Sequence, residues 1–167
     1  LFVDEDFNLS FLKKIITKNE YSFISDLIKS KNQKNEIITL DISSKKKIIL
    51  IALKKDFKTS DIENLGAKLF KQSLDNKNNI YLIHTETLTS KQKGFAGYFA
   101  HGFKLKSYTF DKYKSKKNIK NINIYFEGKN KPTLKEQKKF FAIENGTFYT
   151  RDLVSEPGNI LHPDEYA

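Results

Sequence analysis

The sequence predicts an α/β domain in which helices flank a mixed β-sheet. Short runs of β-branched residues alternate with longer segments whose apolar residues recur at helical spacing. With 167 residues, 38% of them hydrophobic, the chain can bury a core of its own. Alternation of this kind is typical of a layered domain in which helices cover the faces of a sheet.

Four runs of strand length are predicted to share one sheet. They are residues 37–42 (IITLDI), 47–53 (KIILIAL), 80–84 (IYLIH) and 122–126 (INIYF), and Phe2 with Val3 is predicted to end a fifth strand. Residues 47–53 are apolar on both faces, which predicts a central strand covered by helices on each side.

Helices are predicted between these strands from their start signals. Ser60 followed by Glu63 has the pattern of a capping box, in which each side chain accepts a hydrogen bond from the backbone of the other residue. Thr133 followed by Glu136 repeats this pattern. The helix from Thr133 is predicted to continue toward Leu153, with a weak point near the middle at Gly146. Further helices are expected over residues 10–16 and 21–30, and one is expected to start near Ser90.

Composition limits the class of protein. No window contains the roughly 18 apolar residues that a membrane span needs, and no charged-then-apolar leader opens the sequence, so we expect a cytoplasmic protein. The absence of cysteine excludes disulfides and thiolate metal sites within the chain. The absence of methionine indicates a mature or excised piece of a longer product.

The net charge of +10 raises the possibility of nucleic-acid binding. Only Arg151 among the 30 basic residues is an arginine, however, and arginine is the side chain that reads guanine edges and phosphates with two parallel hydrogen bonds. We therefore expect a solvated lysine surface, with duplex DNA bound weakly and released as salt rises. Specific nucleic-acid binding is the less favoured alternative.

No catalytic pattern emerges from the residues themselves. The histidines, His84, His101 and His162, lack a second ligand at helical spacing, and we expect structural positions for the first two. The closest glycines, Gly94, Gly97 and Gly102, do not have the spacing of a phosphate loop, and we expect them to let a helix pack closely on the sheet. No nucleophile motif is present.

Residues 97–117 (GYFAHGFKLKSYTFDKYKSKK) combine an apolar helix with a basic segment rich in tyrosine. Aromatic rings interleaved with lysines could stack on single-stranded nucleic acid. The favoured interpretation is structural, because the rings lie next to a helix end and can cover the core while the lysines extend into water.

Two motifs in this sequence resemble the leucyl aminopeptidases (cytosol aminopeptidases) of the M17 peptidase family. HGFKLKSYTFDKYKSKK, residues 101–117, is similar to the family pattern E-G-x-x-L-x-x-Y-x-F-x-x-Y-K-x-x-K. RDLVSEPGNILHPDEYA, residues 151–167, is similar to its junction R-D-L-V-N-x-P-x-N-x-L-x-P-x-x-x-A. Ser155 replaces the usual Asn and His101 the usual Glu, at positions without a catalytic role in the family. The resemblance covers residues 37–167 in order, and the first 36 residues match in layout only.

The resemblance implies a macro-domain-like N-terminal α/β domain over residues 1–132 and a connecting helix and linker over residues 133–167. A catalytic domain with two divalent metals (Zn, Mn, Mg or Co) would follow, in a hexameric hydrolase that releases N-terminal amino acids from peptides. The family's metal motif N-T-D-A-E-G-R has no match in this chain. We therefore assign no catalytic, cofactor-binding or metal-binding residue here, and we expect this chain alone to be inactive.

A second class of function stays open at this point. The chain could be a stand-alone binding module, either for a nucleotide such as ADP-ribose, by analogy with macro domains, or for DNA, by its charge. Fold analogy alone is a weak basis for function, and the lack of a glycine-rich phosphate loop argues against nucleotide binding.

Overall fold

The computed structural model describes residues 1–30, 36–43, 46–54, 56–74, 79–88, 93–115, 121–158 and 160. In these residues the strands are β1 (Phe2–Val3), β2 (Ile37–Asp41), β3 (Lys47–Ala52), β4 (Ile80–His84) and β5 (Asn123–Glu127). The helices are a short 3-10 helix (Ser10–Lys14), α1 (Lys18–Ser30), α2 (Thr59–Leu74), α3 (Phe95–Lys106) and α4 (Leu134–Ser155). The predicted α/β class is confirmed, and no described helix is both long enough and apolar enough to span a bilayer.

The described strands form two sheets rather than one. In the first, β3 lies between β1, which is parallel to it, and β2, which is antiparallel. In the second, β4 and β5 pair in parallel, with Leu82 opposite Tyr125. The prediction of a single sheet is therefore wrong for the described residues. In the described residues β1 pairs with β3 through Phe2 and Val3, and no strand pairs with both β3 and β4, so no ladder joins the two sheets.

One core lies between the sheets and the α2–α3 pair. The Phe2 ring meets the edges of Phe95 and Phe99 at centroid distances of 5.1 and 5.3 Å, a favourable arrangement for aromatic rings. A second core lies on the opposite face of β3, where Leu12 and Ile24 pack with residues of β2 and β3. Adjacent residues of β3 thus contribute to different cores, which confirms that residues 47–53 contain a central strand covered on both sides.

Glycines let α2 and α3 come into backbone contact. A Cβ atom added at Gly66 would lie 2.1 Å from the carbonyl oxygen of Phe99, and one added at Gly102 would lie 2.0 Å from the carbonyl oxygen of Glu63. A Cβ at Gly97 would lie 2.8 Å from the Phe140 ring of α4. The close packing expected at Gly97 and Gly102 is real, but its partner was predicted wrongly. These glycines pack helix against helix, not helix against sheet.

The predicted helix starts have mixed outcomes. The capping box of Thr133 and Glu136 is confirmed at the start of α4. Helix α2 begins at Thr59, one residue before Ser60, which confirms the predicted start. The predicted capping box is wrong, because Ser60 lies inside the helix and the Lys58 amide donates to Asp61 Oδ2 at 3.0 Å. Helix α4 continues through Gly146 to Ser155 without a break.

The remaining helix predictions differ from the structure in extent. Residues 10–16 contain the 3-10 helix Ser10–Lys14, and α1 starts three residues before the predicted residue 21. Ser90 lies outside the described residues, and the helix that follows begins at Phe95.

Candidate functional site where the two motifs meet

The two motifs that carry the family resemblance lie far apart in sequence and meet in the structure. The first motif, residues 101–117, begins in α3 and continues into a segment over residues 107–115 that we call the tyrosine-rich segment. The second motif begins at Arg151, in the last turns of α4. We call the contacts between the tyrosine-rich segment and the end of α4 the clasp.

Near the middle of α4, that helix and α3 share a buried polar pair. His101 Nδ1 lies 2.9 Å from Glu144 Oε1, and both side chains are buried. The His101 ring also stacks on Phe140, with centroids 4.8 Å apart. A buried polar group is costly unless it is hydrogen-bonded, and each member of this pair satisfies the other. The structural position expected for His101 is confirmed.

Tyr108 and Arg151 form the first part of the clasp. The Tyr108 hydroxyl donates to Asp152 Oδ1 at 2.8 Å, and its ring lies 5.4 Å from the Phe148 ring. The Arg151 guanidinium lies over the same tyrosine ring at 5.4 Å and donates to the carbonyl of Leu105 at 2.9 Å. Arg151 therefore ties the end of α3 to the end of α4, because one planar cation can stack and donate at once.

Glu156, just past the end of α4, forms the second part. Its carboxylate accepts hydrogen bonds from Lys112 Nζ at 2.6 Å and from the Tyr113 hydroxyl, and its side chain is only 8% exposed. The bonds from Lys112 and then Tyr113 lower the pKa of Glu156 below its ordinary value. The same contact raises the pKa of the Tyr113 hydroxyl. Two donors from one segment thus bond to the two oxygens of one carboxylate at the helix end.

The other histidines do not join this site. His84 ends β4, where its Nδ1 lies 3.1 Å from Glu127 Oε2. Burial lowers the pKa of His84, and the Glu127 carboxylate opposes that shift. His162 lies outside the described residues. In the part of the chain that the structure describes, no group of three or more histidine or acidic side chains could hold a metal ion.

The lysines of the tyrosine-rich segment include one that is already paired. Lys112 binds Glu156, so its charge is partly neutralised within the domain. Lys116 and Lys117 lie outside the described residues. Weak, salt-sensitive DNA binding remains a prediction.

Sequence reasoning did not single out the acidic residues of this site. Phe140, Glu144, Phe148 and Asp152 recur every four residues, and all of them face α3 or the segment that follows it. The sequence signal that could have indicated this site is Glu144, an acidic residue within the apolar stripe of a helix. An acidic residue in that position needs a buried partner. Its partner could not be named, since His101 lies 43 residues away.

Helix α4 is contacted at two places along its length. Helix α4 contacts α3 in its first half through Phe140 and Glu144, and the clasp contacts its C-terminal end. The end of α4 is therefore held against the tyrosine-rich segment by polar contacts.

Known cytosol aminopeptidases are similar in sequence to this chain. The chain is 27% identical over its whole length to a probable cytosol aminopeptidase of Rickettsia felis, of which it covers 37%. It is 33% identical over 64% of its length to one from Persephonella marina, and 29% identical over 66% to one from Nitrobacter winogradskyi, covering 23% of each. The chain thus spans between about a quarter and a little over a third of the length of these relatives. No protein-family model matches it.

A solved structure shares the fold. A mutant of tomato leucine aminopeptidase superposes with a TM-score of 0.74 over 99% of this chain and 35% of that protein, at 18% sequence identity. The resemblance predicted from the two motifs is confirmed by these relatives and by this fold.

Proposed function

We propose that this chain, a relative of the cytosol aminopeptidases along its whole length, is the non-catalytic N-terminal domain of a metal-dependent aminopeptidase. Residues 1–132 form the domain, and residues 133–167 form the connecting helix and linker. The observation that carries the proposal is the clasp, in which the two motifs of the resemblance bind each other at the end of α4.

The shape of α4 supports a connecting role. Its 22 residues expose large apolar side chains, among them Leu134 (75%), Phe141 (65%) and Val154 (77%). Leu134 and Phe141 are seven residues apart and therefore lie on the same face of the helix, and apolar side chains grouped on one exposed face are typical of a surface that another protein segment covers. The match to the Rickettsia felis relative leaves most of the length of that protein outside this chain, so a catalytic domain that follows α4 is the proposed cover.

The proposed enzyme hydrolyses peptides from their N-terminus in the cytoplasm, as a hexamer with these domains on the outside. When bound, its two divalent metals, manganese or zinc, supply a Lewis acid and an activated water. Holding them requires several converging carboxylates. The described residues bring no such group together, so we place the metals in the catalytic domain and assign no step of the reaction to this chain.

Activity against a leucyl amide substrate, with Mn²⁺ or Zn²⁺ added, tests this proposal. The 167-residue chain is expected to release no leucine, because its described residues bring no carboxylate cluster together for a metal. A longer protein that continues through the downstream reading frame is expected to be active. The metal-free longer protein is the control, and it should regain activity when metal returns.

Two results would contradict the proposal. Leucine release by the 167-residue chain would place the active site within it. A reading frame that stops at Ala167, or continues without a metal-binding Lys/Asp/Glu motif, would favour the binding-module alternative. Titrations with ADP-ribose, and with duplex DNA at several salt concentrations, would then identify the ligand class.

A further inference from the structure

A groove of about 770 Å³ lies between β5 and the helices α3 and α4. We call it the β5 groove. Residues 121–126 form its strand side, and its helix side includes His101 and Phe103 of α3 and Phe140 and Glu144 of α4. Clefts that bind small ligands have volumes of about 300–1,000 Å³. The β5 groove is therefore large enough to hold several residues of a peptide.

The groove runs along one edge of β5. Successive side chains of a strand point to opposite faces of its sheet, yet residues 121–126, which include the first four residues of β5, all line this groove. A groove that contacts successive residues of a strand lies beside the backbone, where both faces are within reach. The opposite edge of β5 pairs with β4, so the groove follows the edge that pairs with no described strand.

The ladder with β4 shows which backbone groups of β5 face the groove. The Asn123 amide donates to the carbonyl of Asn79 at 2.8 Å. In a parallel ladder, residues that bond to the neighbouring strand alternate with residues whose N–H and C=O point to the other edge. Asn123 and Tyr125 therefore bond to β4, and the backbone groups of Ile124 and Phe126 point toward the groove. No described residue forms a hydrogen bond with these groups.

The wall opposite this free edge offers both apolar and polar surface. The rings of Phe103 and Phe140 belong to it, together with the polar side chains of Ser107 and Gln137. In β-strand addition, an extended peptide bonds to a free strand edge through its main chain and places alternate side chains against the neighbouring surface. The β5 groove supplies both the free edge and the surface.

The charges in the groove favour an acidic peptide. Its lysine, histidine and acidic side chains are Lys104, Lys131, His101 and Glu144. His101 and Glu144 bond to each other, whereas no described residue forms an ion pair with either lysine. The chain as a whole carries a net charge of +10. Carboxylates of a peptide would therefore be attracted by the chain at a distance and by two lysines at the groove.

We propose that the β5 groove binds an extended peptide whose apolar residues alternate and are flanked by acidic residues. The peptide adds a strand to β5 by bonding to the backbone of Ile124 and Phe126. Lys104 lies in the last turn of α3 and Lys131 lies beyond the end of β5, so carboxylates are expected to flank the apolar residues. This inference does not depend on the proposed enzymatic function.

A fluorescein-labelled peptide of nine residues tests the site. It has three valines separated by two threonines, with two glutamates at each end. One matched peptide has lysines in place of the glutamates. A second keeps every side chain but carries N-methyl groups on its central peptide nitrogens, which removes main-chain donors. Fluorescence anisotropy with the 167-residue chain measures the affinity of each peptide.

The acidic peptide is expected to bind saturably, and each matched peptide about ten-fold more weakly or less well still. Equal binding of the acidic and N-methylated peptides would show that no strand is added, and equal binding of the acidic and lysine peptides would show that the lysines of the groove do not select the ligand. Either result, or the absence of saturable binding up to about 1 mM peptide, would overturn the proposal.

A charge-reversed chain locates the binding. The double variant Lys104→Glu with Lys131→Glu is expected to weaken binding of the acidic peptide about ten-fold and to strengthen binding of the lysine peptide. The control, Lys18→Glu with Lys29→Glu, makes the same change in net charge at two exposed lysines of α1. Equal losses in the two double variants would assign the attraction to net charge and would overturn the site.

Two other occupants are distinguished by further measurements. A second copy of the chain would give a dimer in light scattering that the acidic peptide dissociates. The downstream domain is also a candidate, because Phe141 lines the groove and is among the side chains proposed above to be covered. A peptide that binds the 167-residue chain but not the longer protein would show that this domain fills the groove. Either result would overturn the peptide assignment, and equal binding to a monomeric chain and to the longer protein would support it.

Discussion

The α2–α3 pair and the clasp hold helices by different means. Between α2 and α3 the backbones touch at Gly66 and Gly102, and the Phe70 and Phe103 rings meet edge to face at 5.1 Å. At the clasp, hydrogen bonds from exposed side chains join Glu156 to a neighbouring segment. The first contact excludes water and tolerates no added atom, whereas the second contact is polar and adjustable.

The two contacts differ in how much free energy they contribute to folding. Full burial of one phenylalanine contributes about 1.5–3 kcal/mol, and several phenylalanines are buried in the core that α2 and α3 help to form. A salt bridge at a surface contributes about 0–1 kcal/mol. The α2–α3 pair therefore determines whether the domain folds. The clasp contributes less to folding and influences where the end of α4 lies.

The largest expected effect comes from an added methyl group between α2 and α3. Gly102→Ala is expected to lower the free energy of unfolding by about 3 kcal/mol or more, because its Cβ would meet the backbone of Glu63 and neither helix can move without disturbing the core. Urea unfolding followed by circular dichroism measures the change.

The control for this variant is Gly146→Ala, also in a helix but with no atom within 4 Å of the added Cβ. It should raise the free energy of unfolding by about 0.5–1 kcal/mol, through helix propensity alone. If Gly102→Ala matched the stability of Gly146→Ala, backbone contact would not be what holds α2 against α3.

The His101–Glu144 pair should give an intermediate effect, since it is buried like the α2–α3 contact and polar like the clasp. Glu144→Ala is expected to cost about 1–3 kcal/mol, because it leaves the buried His101 nitrogen without its partner. Glu144→Gln keeps an acceptor at the same place and should cost less. Equal losses for the two variants would mean that the carboxylate charge, rather than the hydrogen bond, stabilises the pair.

The smallest expected effect comes from the clasp. Tyr113→Phe removes one donor to Glu156 and is expected to leave the free energy of unfolding almost unchanged, because the contact lies at the surface. It should nevertheless speed amide exchange in the last turn of α4, because that turn loses a support outside the core. Tyr149→Phe, at a tyrosine of the same helix that is 67% exposed, is the control and should change neither quantity.

The clasp should also depend on pH. Its hydrogen bonds lower the pKa of Glu156 from an ordinary value of 4.5, so the folded chain binds this proton less readily than the unfolded chain does. The contribution of Glu156 is therefore complete above pH 4.5 and is lost as the pH falls through the lowered pKa. Exchange in the last turn of α4 that stays constant from pH 6 to pH 3, after correction for intrinsic rates, would contradict this linkage.

Local patterns in the sequence were sufficient for several elements. The strand at residues 80–84 is confirmed at both ends, and the capping box at Thr133 forms as predicted, because both depend on residues within a few positions of one another. The start of α2 was predicted to within one residue, but its capping pair was assigned wrongly. Asp61 and Glu63 are both plausible capping partners, and local spacing cannot choose between two acidic residues so close together.

Local sequence patterns could not predict which distant residues contact each other. Glycine spacing in α3 indicated close packing, but it could not show that the neighbour was α2 rather than the sheet. Likewise the acidic residue in the apolar stripe of α4 indicated a buried partner without naming His101.

The sequence by itself determined the α/β class, the positions of most strands and helices, and the family resemblance, because these follow from periodicity and from short motifs. Only the tertiary structure decided that the described strands separate into two sheets, and that the two motifs bind each other at the end of α4. The physical reason is that local conformation depends on neighbours along the chain. Sheet order and the pairing of charged groups depend instead on which distant parts of the chain pack against each other and exclude water.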